Sequence, residues 1–178
     1  CSLDSWGKQA EYIRNGLDFD VLYKNVTDYL ANSDKHSLTF IITLNTLSYT
    51  GFFEYIQNIL KLRQEYNTDR QLVWFDVPQL MDPDYMNPKL MPEMTTEIDR
   101  VIEFMKNNKD TEYNEFKGFS DFEISKVQRL KDWILDDSGF DRQKALKNFN
   151  MFWEQHDTRM GTNFAETFPE LEQYRTNL

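Results

Sequence analysis

Asp4, Ser5 and Arg14 are the first residues of the chain whose types and spacing could do chemistry. Asp4 and Ser5 end a short apolar segment that reads as a strand, and Arg14 lies on the second turn of the helix after Gly7. In a parallel sheet, ligands bind at the carboxyl ends of the strands, where an arginine can form a two-pronged contact with a carboxylate. Alternatively, Arg14 pairs with a neighbouring acid, Glu11 or Asp18, on a solvated face.

Asn45 and Asp76 stand at the ends of two further predicted strands, so parallel pairing would place both at the same rim. Each also has a plainer interpretation. A turn could satisfy the amide of Asn45, and strand alternation could direct Asp76 to a polar face. The sequence leaves both alternatives open.

The segment 154–164 is rich in polar residues around Gly161: His156, Asp157, Arg159 and Asn163. A His beside an Asp suggests acid–base or metal chemistry. No nucleophile or third ligand is near in sequence, however, and helix capping explains the cluster better. A hydrolase using Asp76 and His156 is disfavoured because the chain has no phosphate loop and no metal-ligand spacing. We therefore predict no catalytic residue and no metal ligand here.

The elements that must position these residues alternate in the first half. Segments 37–45 and 70–78 are continuous β-branched and aromatic runs typical of strands covered on both faces. Between them, residues 50–66 have the three- and four-residue apolar spacing of an amphipathic helix, and an apolar stripe in 18–32 predicts another. With residues 1–4, the order is strand, helix, strand, helix, strand. This order predicts an α/β fold with two right-handed crossover units and about three parallel strands.

The second half reads as helical. A connection rich in Pro and Met follows Pro78, and helices are predicted over 95–108, 120–135 and 141–157. Ser120 and Glu123 have capping-box spacing, and Asp141 is placed to cap the next helix. We predict a strand-containing part over 1–92 and a helical extension over 93–178, packed as one globular unit.

The amino-acid composition excludes several classes of binding partner. The 178 residues carry a formal net charge of −10, which argues against nucleic acid. One cysteine and two histidines cannot build a disulfide framework or a usual zinc site. The sequence has no apolar run of transmembrane length and no leader before residue 1, so we expect no membrane partner and a cytoplasmic location.

Four stretches together resemble the radical S-adenosylmethionine (SAM) superfamily, and within it the twitch-domain branch. "SLDSWGKQAEYIRNGLDFDVLYKNV", "FIITLNTLSYTGFFEYI" and "VWFDVPQLMDPDYMNPKLMP" resemble the fourth, fifth and sixth strand regions of its partial (β/α)6 barrel. "NFNMFWEQHDTRMGTNFAETFPELEQY" resembles the branch's C-terminal signature, a helix followed by HDxRRGTNFxxxFPEL, with Met160 in place of the second Arg. The likeness covers essentially the whole chain and implies the C-terminal part of a half-barrel followed by a helical region.

The resemblance also implies a site. Family members bind SAM and hold a [4Fe–4S] cluster through a CxxxCxxC loop that precedes the matched region, and Cys1 does not match that motif. The implied cofactor-binding residues are Asp4, Ser5, Arg14, Asn45, Val77 and Pro78. The first two would lie near the ribose, Arg14 would contact the carboxylate, and the last three would lie near the ribose or adenine.

The implied function belongs to a longer parent protein. There, reduction by the cluster would cleave SAM, and the resulting 5′-deoxyadenosyl radical would abstract hydrogen from a substrate. This chain alone is expected to be inactive and to bind neither cofactor. The alternative is a non-catalytic α/β binding or assembly module, in which an exposed sheet edge pairs with another copy.

Overall fold

The computed structural model describes residues 1–32, 36–113 and 115–176. The first half contains α1 (Gly7–Ile13), α2 (Phe19–Asn32), β1 (Leu38–Ile41), α3 (Tyr49–Tyr66) and β2 (Val73–Asp76). Three 3-10 turns follow, at Asp84–Met86, Pro88–Leu90 and Pro92–Met94. The second half contains α4 (Thr95–Asn107), α5 (Asp121–Leu135), α6 (Arg142–Met160), α7 (Phe164–Thr167), a 3-10 turn at Pro169–Leu171 and α8 (Gln173–Thr176).

The sheet is parallel, and α3 is the crossover helix between its strands. β1 pairs with β2 in a register that places Leu38 beside Val73 and Ile41 beside Asp76. Isolated parallel bridges extend this pattern, from Ser2 to Ile41 on one side and from Leu44 to Gln79 beyond the strand ends. The prediction of an α/β fold is confirmed. Within the described residues the assigned sheet has two strands, and residues 1–4 contribute a single bridge beside β1.

One face of the sheet is buried against α3. Phe40 is 1% exposed, and its ring lies edge-on to that of Tyr55 at 6.0 Å. The opposite face carries Ile41 and Trp74, which are 42% and 44% exposed. The alternation arises because successive strand side chains point to opposite faces, so the continuous apolar runs are covered on one face here, not on both as the sequence suggested.

Helices of the second half start where their sequences predict. The Ser120 Oγ accepts from the Glu123 amide at 3.3 Å, while the Glu123 carboxylate accepts from the Ser120 amide at 3.0 Å. Asp141 accepts from the Lys144 amide at 3.0 Å. Both predicted caps are confirmed. In the described parts of the chain, no helix combines the length and the apolar character needed to cross a membrane.

A buried ion pair joins the two halves. The Arg63 side chain on α3 is 1% exposed and binds Glu123 on α5, with Nη2 and Oε1 2.5 Å apart. Arg63 also donates to the carbonyls of Val73 at 3.1 Å and Gly118 at 2.6 Å. The pair therefore fastens the sheet, α3 and α5 to one another.

Candidate functional site

The candidate site is the edge of the sheet at the carboxyl ends of its strands. The parallel bridges bring the end of segment 1–5, the residues after β1 and the residues after β2 to this one edge. In open α/β sheets this is the edge where ligands bind. Five of the six predicted cofactor-binding residues belong to these three segments, and the sixth, Arg14, directly follows α1.

Asp4 and Arg14 form an ion pair at one end of this edge. Arg14 donates from Nε to Asp4 at 3.0 Å and from Nη2 to the Ser2 hydroxyl at 2.9 Å. The Arg14 side chain is 41% exposed and that of Asp4 is 13% exposed. Arg14 therefore pairs with Asp4 and not with Glu11 or Asp18. The carboxylates of Glu11 and Asp18 accept from the backbone amides of Phe19 and Val21.

Ser5 lies beside this pair and is fully buried. Its hydroxyl donates to Gln9 at 3.0 Å, and Gln9 donates to Thr50 at the start of α3 at 2.9 Å. Gly51 permits this contact, because a Cβ atom at that position would collide with the Ser5 and Gln9 side chains. Ser5 is therefore fixed at the edge by α1 and α3.

Asn45 is central but enclosed. It is 1% exposed, its Oδ1 accepts from the Leu47 amide at 2.9 Å, and its Nδ2 donates to the Thr43 carbonyl at 3.2 Å. The next residue, Thr46, donates its amide to the Met86 carbonyl at 3.0 Å, so the first 3-10 turn packs over this point. The turn interpretation of Asn45 is the one the structure supports.

Val77 and Pro78 lie at the other end of the edge. Val77 is 3% exposed. Together with Gln79 they line a cavity of about 260 Å³ whose other wall comes from α5. The neighbouring Asp76 forms an ion pair with Lys126 of α5. The edge therefore has a charged end at Asp4 and Arg14 and an apolar end at Val77 and Pro78, with Asn45 between them.

Tyr55 adds a residue that sequence reasoning missed. Its side chain is fully buried, and its hydroxyl has no hydrogen-bond partner among the described residues. Burial raises the pKa of the hydroxyl well above 10, the Asp4 charge adds to the increase, and the Arg14 charge opposes it. The Tyr55 ring lies 5.1 Å from that of Trp6, which follows Asp4 by two residues. No sequence signal separates Tyr55 from the other apolar positions of α3.

The polar cluster around Gly161 has a structural role: it joins the end of α6 to α1 and to the start of α7. Asp157 accepts from the Tyr12 hydroxyl at 2.7 Å, the Thr162 hydroxyl at 2.8 Å and the Phe164 amide at 2.9 Å. His156 lies with its ring centroid 4.8 Å from that of Tyr12. Burial lowers the pKa of His156, and Asp157 partly opposes that effect. The capping interpretation of this cluster thus extends to a contact between α6 and α1.

The residues present fit the two implied cofactors differently. Within 1–32, 36–113 and 115–176, no three His, Cys, Asp or Glu side chains are grouped so as to hold a metal ion. The described residues therefore do not fit an iron–sulfur cluster. For SAM, an exposed guanidinium and an apolar strand end lie along one edge, which suits a zwitterionic nucleoside.

Comparisons with known proteins give no relative. No protein-family model, curated protein or solved structure matches this chain.

Proposed function

We propose that the chain is the C-terminal part of a radical SAM enzyme and that the carboxyl edge of its sheet binds the cofactor. The family in this proposal rests on the sequence resemblance to the radical SAM superfamily. The observation that best supports the proposal is the Asp4–Arg14 pair at the end of a parallel sheet with a helical crossover. In the proposal, residues 1–4 are the third strand of a half-barrel and the protein is cytoplasmic.

Arg14 is the residue suited to the cofactor's carboxylate. Its bonds to Asp4 and Ser2 use Nε and Nη2, so Nη1 of this 41% exposed side chain can donate to an incoming anion. Asp4 would then face the positively charged or hydroxyl-bearing groups of SAM. Bound SAM would supply hydrogen-abstracting chemistry, while this chain's residues hold and orient it. No cluster ligand is assigned to the chain.

Because Asp4, Ser5 and Arg14 all lie on this chain, we now expect it to bind SAM weakly on its own, in contrast to the expectation from the sequence that it binds neither cofactor. A SAM titration followed by ¹H–¹⁵N NMR tests this assignment. We expect saturable shifts at the amides of Asp4, Ser5 and Arg14, and about tenfold weaker binding in Arg14→Gln, because a charge-assisted hydrogen bond contributes about 1.5–3 kcal/mol. Arg100→Gln on α4 is the matched control, since Arg100 is an exposed arginine that pairs with Glu97 elsewhere. A folded chain whose edge amides do not respond to millimolar SAM would contradict the proposal.

The second candidate, an assembly module, is favoured by the open side of segment 1–3. Cys1 and Leu3 use their backbone groups on Ile41, so the N–H and C=O of the intervening Ser2 point away from β1. Ser2 is exposed, as are Ile41 and Trp74 on the adjoining face. A strand edge of this kind can pair with a second copy.

Sedimentation velocity distinguishes this candidate. A self-pairing edge predicts a concentration-dependent dimer that Ser2→Pro weakens, because proline removes the outward N–H. Ser125→Ala on α5 serves as a control away from the edge. A monomer at every concentration would exclude the assembly module and leave the SAM proposal unaffected.

A further inference from the structure

Among the described residues, the cavity between the end of β2 and α5 is lined by two cationic side chains and by no acidic side chain, on a chain whose net charge is −10. Its lining consists of Val77, Pro78, Gln79, Lys126, Arg129 and Leu130. The first three follow β2 at the carboxyl edge, where the bridge from Leu44 to Gln79 continues the parallel pairing. The other three lie on α5 at spacings of three and four residues, so they share one helix face.

Charge within the cavity is concentrated on Arg129. Lys126 is paired with Asp76, whereas none of the ion pairs between described residues includes Arg129. Arg129 is exposed, and its Nη1 donates to the Ser125 hydroxyl one turn away at 3.1 Å. The ring of Phe122 lies beneath its guanidinium, 5.9 Å from centroid to Cζ. Ser125 and Phe122 therefore position the guanidinium of Arg129. Neither of them carries a negative charge that would neutralise it.

Apolar residues form another part of the lining. Val77 and Leu130 are buried, at 3% and 2% exposure, and both line the recess with Arg129. Gln79 adds a side chain able to donate or accept a hydrogen bond. At about 260 Å³ the recess is below the range typical of drug-sized ligands, about 300–1,000 Å³. It suits a small ligand with one anionic and one apolar end.

We propose that this cavity binds a small organic anion, a carboxylate or phosphate with an apolar body, through Arg129. The anion is the substrate class of the site, an assignment that rests on the proposed function. Binding itself does not depend on SAM. Arg129 forms the charged contact, Val77, Pro78 and Leu130 cover the apolar body, and Lys126 screens Asp76 from the ligand.

The experiment is an NMR titration of the ¹⁵N-labelled chain with benzoate, with its neutral isostere benzamide and with inorganic phosphate, all without SAM. We expect saturable shifts at Gln79 and Arg129 with benzoate, and about tenfold weaker binding with benzamide, with phosphate and in Arg129→Gln. Arg159→Gln, an exposed arginine on α6, should leave benzoate binding unchanged.

Three results would overturn the anion site. They are an absence of benzoate shifts in the cavity, equal binding of benzoate and benzamide, and unchanged binding in Arg129→Gln. Phosphate binding as tight as that of benzoate would overturn the role of the apolar residues. The SAM titration of Arg14→Gln is read separately at Asp4, Ser5 and Arg14, so failure of one proposal is distinguishable from failure of the other.

Discussion

At the scale of single residues, Arg63 shows how this fold accommodates a buried charge. Its guanidinium donates to the Glu123 carboxylate and to two backbone carbonyls. The rings of Phe75 and Phe119 lie 5.5 and 5.2 Å from its Cζ atom. A buried ion pair adds little to folding stability compared with two apolar residues in its place. Removing one partner, however, leaves the other charge buried without a counterion, which is strongly destabilising. Arg63 and Glu123 are therefore individually sensitive positions.

Glu123→Gln should lower the free energy of unfolding by about 3–5 kcal/mol, because it leaves the Arg63 charge buried without a counterion. Glutamine preserves the shape of the side chain and can still accept from Ser120. Urea denaturation measures the change. Asp99→Asn is the control, since Asp99 pairs with Lys131 but is 54% exposed and should cost less than about 1 kcal/mol. Equal effects in the two variants would contradict the role assigned to the buried pair.

His156 predicts a pH dependence of stability. Its folded-state pKa lies below the ordinary 6.5, so the unfolded chain takes up this proton first as the pH falls. Stability from neutral His156 is therefore present above pH 6.5 and is lost below it. The fall in Tm between pH 7.5 and 5.5 should be smaller in His156→Gln than in the wild type, whereas Gln155→Ala should retain the full fall. An identical fall in both variants would rule out His156 as its source.

At the scale of elements, helix starts and the strand–helix contact position the candidate site. α5 begins at a complete capping box and carries both Glu123, which binds Arg63, and the cationic face of the cavity beside β2. α3 approaches segment 1–5 closely at Gly51. The geometry of the carboxyl edge therefore depends on how well these two helices are anchored.

Ser120→Ala should destabilise the protein by about 1 kcal/mol, because it removes the acceptor for the Glu123 amide. Thermal unfolding followed by circular dichroism at 222 nm measures this loss. Ser125→Ala, in the interior of the same helix, should cost less, since alanine is the better helix former. A larger loss from Ser125→Ala than from Ser120→Ala would show that the cap does not stabilise α5.

At the scale of the whole molecule, one buried apolar cluster includes residues from both halves, from Leu3 to Leu171. Polar contacts cross the same boundary, at Arg63–Glu123 and at Tyr12–Asp157. The halves predicted over 1–92 and 93–178 therefore share a core. Shared burial of this kind couples their unfolding.

Unfolding should accordingly be a single transition. Tryptophan fluorescence and far-ultraviolet circular dichroism should give the same urea midpoint, because Trp6 and Trp153 lie in opposite halves and are both buried in the common core. Two midpoints, or a fluorescence change that precedes the loss of helix, would show that the halves fold independently.

Much of the secondary structure was predictable from the sequence, because its signals are local. The apolar spacing of 50–66 predicts α3 to within a residue, and the capping residues Ser120 and Asp141 mark the starts of α5 and α6. The candidate site was predictable only in outline. The two strands were identified, but they are shorter than predicted: β1 ends at Ile41 instead of at 45, and β2 ends at Asp76 instead of at 78. The partner of Arg14 was not predicted.

The sequence by itself determined the alternating order of elements, the crossover that makes the sheet parallel, and the helix caps, since each depends on residues a few positions apart. The tertiary structure alone decided which polar groups meet: Arg63 with Glu123, Tyr12 with Asp157, and Val77 with the cationic face of α5. The physical reason is distance along the chain. Side chains separated by tens of residues interact only after packing has excluded water between them, and no local pattern encodes that choice of partner.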